Sequence, residues 1–218
     1  MNAFDWDVIF RALPFLWEGM KISLLLTAAG IAGGVVFGTV LASLRLSPVR
    51  PLAILAGLYV NTFRSLPLIL VLFWFYFLMP LAVGRPIGAM PSAVTAFILF
   101  EAAYFCEIIR AGMASVPRGQ VFAAKATGMT NLQVLRLVVL PQAFRAMAPV
   151  MLTQSIVMFQ DTSLVYVITL RDFMTATSIV ANRDGRVIEL YCFAAVVYFA
   201  ISFAASLGVR SSRRAAVA

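Results

Sequence analysis

The 218-residue sequence predicts an all-α fold, an integral membrane bundle of about five transmembrane helices. Two observations predict it. The chain is 62% hydrophobic and only 12% charged, whereas soluble domains average about 25% charged and about 45–50% apolar residues. An excess of that size needs lipid as its solvent. The apolar residues are also gathered into runs of membrane-crossing length, at 22–44, 65–83, 87–109, 146–160 and 190–209. None of them alternates as the strands of a membrane barrel would.

Taken in order, residues 1–21 come first. Phe4, Trp6, Ile9, Phe10, Leu13, Phe15, Leu16 and Trp17 are interleaved there with charges and Pro14. This mixture predicts an interfacial lead-in helix, with Trp6 and Trp17 at headgroup level. Asp5 and Asp7 stand where a cleavable signal would carry positive charge. The run 22–44 is the first crossing, and its Gly30, Gly33, Gly34 and Gly38 predict close contact with another helix. Residues 51–63 predict the first part of a long second helix, kinked at Pro67, that continues through 65–83. The third run carries Glu101 and Glu107 toward one end. The fourth is clean up to Asp161, and the fifth up to the basic tail. A single transmembrane domain over 1–218 accounts for all of it.

The net charge is +8, from 17 basic and 9 acidic residues. The positives mark the ends of apolar runs rather than one polar face, which excludes a nucleic-acid reader. With the N-terminus outside, the cytoplasm receives Arg45, Arg50, Arg110, Arg118, Lys125, Arg136, Arg145, Arg210, Arg213 and Arg214. The outside receives only Arg11, Lys21, Arg85, Arg171, Arg183 and Arg186. Ten against six favours N-outside, C-inside, with Arg64 left at membrane depth. Cys106 and Cys192 lie in apolar stretches and read as small hydrophobes. The chain has no histidine, so the usual nucleophilic triad and the commonest metal ligand are both missing. No metal site is expected.

The longest inside connection, 110–145, is organised. Pro117 to Gln120 form a turn, and Val121 to Ala126 a short helix. Gly128 breaks it, and Thr130 caps a second helix that starts at Asn131 and ends at Leu140-Pro141. Exposed Ala123, Ala124 and Ala126 beside a glycine turn suit a knob that another protein approaches closely. An amphipathic hairpin lying on lipid is the alternative.

This stretch resembles the cytoplasmic coupling loop of ABC-importer permeases. That loop's pattern is Glu-Ala-Ala, three residues, Gly, nine residues, Ile, one residue, Leu-Pro. Here it reads Phe122-Ala123-Ala124, then Gly128, then Val138, then Leu140-Pro141. Phe122 replaces the family Glu and Val138 the Ile. Phe63-Arg64-Ser65-Leu66-Pro67-Leu68, Glu107-Ile108-Ile109-Arg110, Val116-Pro117-Arg118-Gly119-Gln120 and Asp161-Thr162-Ser163-Leu164 are similar to the polar-amino-acid branch. Phe100 to Tyr104 and Phe159 to Val167 look like the glutamate/aspartate permeases in particular. The resemblance covers nearly the whole chain. It implies a type I ABC-importer permease fold in a bacterial inner membrane, and a transporter subunit rather than an enzyme. It implies three kinds of partner: an ABC ATPase dimer, a second permease chain (homologous or identical) and a periplasmic amino-acid-binding protein. Gly119, Ala123, Ala124, Gly128, Leu140 and Pro141 would be the ATPase-coupling residues. ATP would be bound by the partner, because no Gly-x-x-x-x-Gly-Lys-Ser/Thr loop occurs in this chain. No other cofactor is expected.

Arg64, Glu101 and Asp161 fall at membrane depth. A charge there costs at least about 2.5–3.5 kcal/mol unless paired or wetted. One reading is mutual neutralisation, Arg64 with Glu101 or Asp161. The other is a substrate pathway, in which the Arg64 fork takes a carboxylate, Asp161 the ammonium, and Gln160, Thr162 and Ser163 neutral groups. Those three could instead cap a helix break. Gln154 and its neighbours read as packing. The rival functions are an ion-gradient-driven amino-acid carrier and a membrane scaffold subunit.

Overall fold

A computed structural model describes residues 4–217, with side chains described to Gly208. Arg210, Arg213 and Arg214 of the basic tail lie beyond the described side chains. The described residues form helices and short connections, without strands. Helix α1 is Trp6–Arg45, α2 Arg50–Arg64, α3 Leu68–Val83, α4 Ala89–Ser115, α5 Arg118–Ala126, α6 Asn131–Ile168, α7 Phe173–Asp184 and α8 Val187–Val217. Four helices are individually long and apolar enough to cross a membrane, and the bent pair α2–α3 makes a fifth.

Three of these elements differ from the sequence expectation. The lead-in is not a separate helix. Residues 6–21 are coaxial with the first crossing in one 40-residue helix, about 60 Å long and twice the hydrocarbon thickness. Its Val8, Ala12, Leu16 and Met20 are buried against α7 and α8, while Trp6, Phe10 and Trp17 point outward. Second, Pro67 does more than kink a long helix. The chain turns by 105° between Arg64 and Leu68, and Pro67, with φ −63 and ψ 135, is the cap residue of α3. Its missing N–H and its clash with the carbonyl four residues back stop α2. Third, the helix begun at Asn131 does not end at Leu140-Pro141. It widens into a π-turn over Val134–Val139 and continues through Pro141 to Asp161 and a 3₁₀ stretch. The wider turn accommodates the proline that an α-turn would reject, and the Gln142 amide donates to the Val138 carbonyl at 2.9 Å.

Helix α1 is the spine, passing three apolar clusters in succession. The first lies against α7 and α8, the second centres on Leu26, Val71, Phe97 and Met158, and the third on Ala42, Val60, Phe105 and Ile109. Its main partner is α4, which runs parallel to it. Close approach requires glycine at Gly38, where a Cβ would stand 2.9 Å from the Cys106 nitrogen and 3.0 Å from the Ala102 carbonyl oxygen. The glycine-rich face therefore makes the close helix contact expected of it. At the other end, Asp172 is buried. It caps α7, accepting from the Met174 and Thr175 amides at 3.1 and 2.9 Å, while Ser23 of α1 accepts from the Phe173 amide at 3.1 Å. Burial pushes the Asp172 carboxyl above the usual carboxylate range, although the hydrogen bonds from Thr175 and Met174 pull it down.

Candidate functional site

The 105° corner after α2 presents Arg64 to α4. There Glu107 accepts hydrogen bonds from two guanidinium groups and faces a third at ion-pair distance. Arg45 and Arg110 hold it closely, Arg110 Nε at 2.7 Å, and Arg64 stands off at 3.7 Å. The Arg64 guanidinium also lies over the Tyr104 ring, 5.5 Å from its centroid. One carboxylate thus meets three cations, an excess of positive charge. Arg64 has the weakest hold on it, and its side chain is 42% exposed. Its planar fork keeps donors free for another carboxylate.

One to two turns along α4, Glu101 is fully buried. Its two oxygens accept from the Gln154 amide of α6, both at 3.2 Å. Neither Glu101 nor Asp161 pairs with Arg64, against the neutralisation that is one of the two readings of the sequence: the acid partner is Glu107. Asp161 is partly buried, enters no ion pair among the described residues, and lies within electrostatic range of Tyr104 and Glu101. Arg64 lies over Tyr104, Asp161 acts on the same ring at longer range, and the two form no ion pair with each other.

The residues around Asp161 diverge. Gln160 donates to the Ser202 hydroxyl of α8 at 3.2 Å. Thr162 is buried and donates to the Phe159 carbonyl at 2.7 Å, capping the end of the α-helical run. Ser163 lines a cavity of about 490 Å³ together with Tyr166, Thr175, Ser178 and Tyr191. Of the expected pathway residues, only Asp161 shares a neighbourhood with Arg64. Sequence reasoning missed Tyr104 and the hub role of Glu107, while Gln154, read from sequence as packing, makes an interhelical hydrogen bond. Tyr104 and Glu107 do stand one turn apart, in the motifs Phe100-to-Tyr104 and Glu107-to-Arg110.

The hairpin forms as expected in outline. Helix α5 ends at Ala126, and Gly128 just past its cap residue Thr127 takes a φ of +86, the left-handed conformation that favours glycine. Thr130 and Gln133 form a capping box at the start of α6. Ala123 and Ala126 are exposed, as is Gly119. Ala124 is not: it is buried where α5 packs on the π-turn around Val134. Leu140 is half-buried and Pro141 exposed, both within the continuing helix.

Comparisons with known proteins agree with this architecture. The family described as binding-protein-dependent transport system inner membrane components matches residues 34–215. The chain is 49% identical over 221 aligned residues to the glutamate/aspartate import permease protein GltK of Escherichia coli O157:H7, covering 98% of this chain and 99% of that protein. It is 35% identical to the probable glutamine ABC transporter permease protein GlnP of Bacillus subtilis, with 91% and 92% covered. Among solved structures, an amino acid ABC transporter crystallised with histidines superposes with a TM-score of 0.87 at 30% identity, covering 98% of this chain and 100% of that one. The inward-facing methionine ABC transporter MetNI shares the fold, with a TM-score of 0.69 at 20% identity and coverage of 97% and 99%.

Proposed function

This chain belongs to the family of binding-protein-dependent transport system inner membrane components, and from that premise we propose that it forms the inner-membrane pathway of an ABC importer for the acidic amino acids glutamate and aspartate. The observation that carries the substrate class is the three-to-one arrangement of Arg45, Arg64 and Arg110 around Glu107. A positive excess at a helix corner favours a ligand that brings a second carboxylate. Asp161, unpaired among the described residues, supplies the opposite sign for the ammonium. The near full-length likeness to a glutamate/aspartate permease supports the same substrate.

The importer reading brings partners with it. A periplasmic binding protein delivers the amino acid, and a second permease chain, identical or homologous, completes the pathway. An ATPase dimer binds ATP and drives alternating access through the hairpin carrying Gly119, Ala123, Ala124, Gly128, Leu140 and Pro141. The N-terminus faces outside and the hairpin the cytoplasm. Arg64 is the substrate-contacting residue of the corner, and Asp161 its counterpart of opposite sign. Gln160, Thr162 and Ser163 serve the break at the end of α6 rather than one binding surface. A gradient-driven carrier would have no use for an organised hairpin, and a scaffold none for an arginine corner.

The test is a competition series. Labelled glutamate uptake by the assembled importer is measured against excess unlabelled aspartate, glutamine, leucine or arginine. Aspartate is expected to compete as glutamate does, and the neutral and basic amino acids only weakly. Equal competition by glutamine would show that the positive excess does not select the substrate.

A further inference from the structure

Helix α5 has two unlike faces. Ala124 is buried against the π-turn of α6, with Val121 half-buried. On the opposite side Phe122 stands out, 67% exposed. One turn to either side of it lie Arg118 and Gly119, then Lys125 and Ala126, all exposed. Aromatic rings and arginines are enriched at protein interfaces relative to the rest of the surface. The surroundings are one-signed as well. Between Ile108 and Gln160 the sequence has no Asp or Glu. Among the described residues, Arg118, Lys125, Arg136 and Arg145 enter no ion pair, although other exposed cations do.

We infer that Phe122 is an anchor that enters an apolar pocket with an acidic rim on the ATPase subunit, Arg118 and Lys125 meeting that rim. The inference rests on the docking role of the hairpin given above and adds the chemistry of the partner's surface. Aromatic anchors in fully desolvated pockets dominate interfaces, and rim charges set orientation and salt dependence. The small Gly119 and Ala126 let the pocket walls close around the ring. Anionic lipid is the poorer occupant. Helices that lie on a membrane present a broad apolar stripe, and the outward face of α5 offers a single phenyl ring between two cations and two small residues.

The experiment uses the intact permease and the separately purified ATPase subunit of the same importer, with binding measured at low and at high salt. Phe122→Ala is expected to weaken binding by about tenfold or more, and Phe122→Glu by more still. High salt is expected to weaken the wild type, and to matter less once Arg118→Gln and Lys125→Gln are combined. Gly128→Leu forces a side chain onto a positive φ and perturbs the whole hairpin, so it reports on docking itself. If Gly128→Leu loses the ATPase while Phe122→Ala binds it as the wild type does, the hairpin still docks and the anchor inference is overturned. If the wild type binds no ATPase, the docking reading falls and the inference with it. If Phe122→Ala instead loses adhesion to vesicles containing phosphatidylglycerol and keeps the ATPase, the ring belongs to lipid and the inference is likewise overturned.

Discussion

Arg64→Lys is expected to assemble normally and to lose at least about 90% of glutamate uptake, a cost of about 1.4 kcal/mol or more in the transport cycle. The structure separates the two roles that Arg64 could have. Glu107 is held closely by Arg45 and by Arg110, whose Nε is at 2.7 Å, and only loosely by Arg64 at 3.7 Å. Removing Arg64 therefore strands no buried acid, and the large penalty for an uncompensated charge does not arise. What a lysine cannot replace is the planar fork stacked over Tyr104, which presents two parallel donors to a carboxylate. Arg64→Leu is expected to assemble as well and to transport still less. Quantified complex yield beside initial uptake rates decides the matter. Near-normal uptake by the lysine variant would remove Arg64 from substrate binding, and failed assembly of the leucine variant would make it structural.

Gly38→Leu is expected to abolish assembly. Lipid tails are as apolar as leucine, so helices in a membrane associate through close packing rather than through burial from water. At Gly38 the atoms that a Cβ would meet include the main chain of α4, at 2.9 and 3.0 Å. These cannot rotate away as a side-chain tip can. The two helices must separate, which opens the Gly34 contact above it as well. Destabilisation of about 2–4 kcal/mol follows, at the severe end for a point substitution. Gly57→Ala, whose added methyl would meet only the Arg45 side chain at 3.9 Å, is the matched control and should leave thermal stability in detergent unchanged. Equal melting temperatures for both variants would mean that α1 and α4 are not held together by this contact.

The crossings were legible because length and apolarity alone identify a lipid-facing helix, and the glycine face of α1 because only small residues let helices touch. What sequence could not supply was direction. Pro67 announces a disturbance, but only tertiary packing makes it a 105° turn, and that turn decides which acid Arg64 meets. Glu101 and Glu107 are both on α4, and the corner delivers Arg64 to the Arg45 end, where Glu107 stands. Pro141 misled in the opposite sense. A proline with a leucine before it reads as a helix end, yet a π-turn absorbs it and carries α6 on to Asp161. Local capping was the most readable feature of the hairpin: Gly128 and Thr130 take the conformations that their chemistry favours. Ala124 was misplaced because exposure depends on how α5 folds back against Val134. Gln160 to Ser163 look like one polar cluster in sequence, but the change from α to 3₁₀ geometry after Asp161 leaves their side chains with different neighbours.

The central claim is that this chain is a passive pathway driven from outside itself. Labelled glutamate accumulation in reconstituted vesicles tests it most directly. The permease is reconstituted once alone, under imposed proton and sodium gradients, and once with its partner permease, ATPase, binding protein and ATP. The account predicts no accumulation by the lone chain under any gradient, and ATP-dependent accumulation by the full assembly. Gradient-driven accumulation by the chain alone would contradict it.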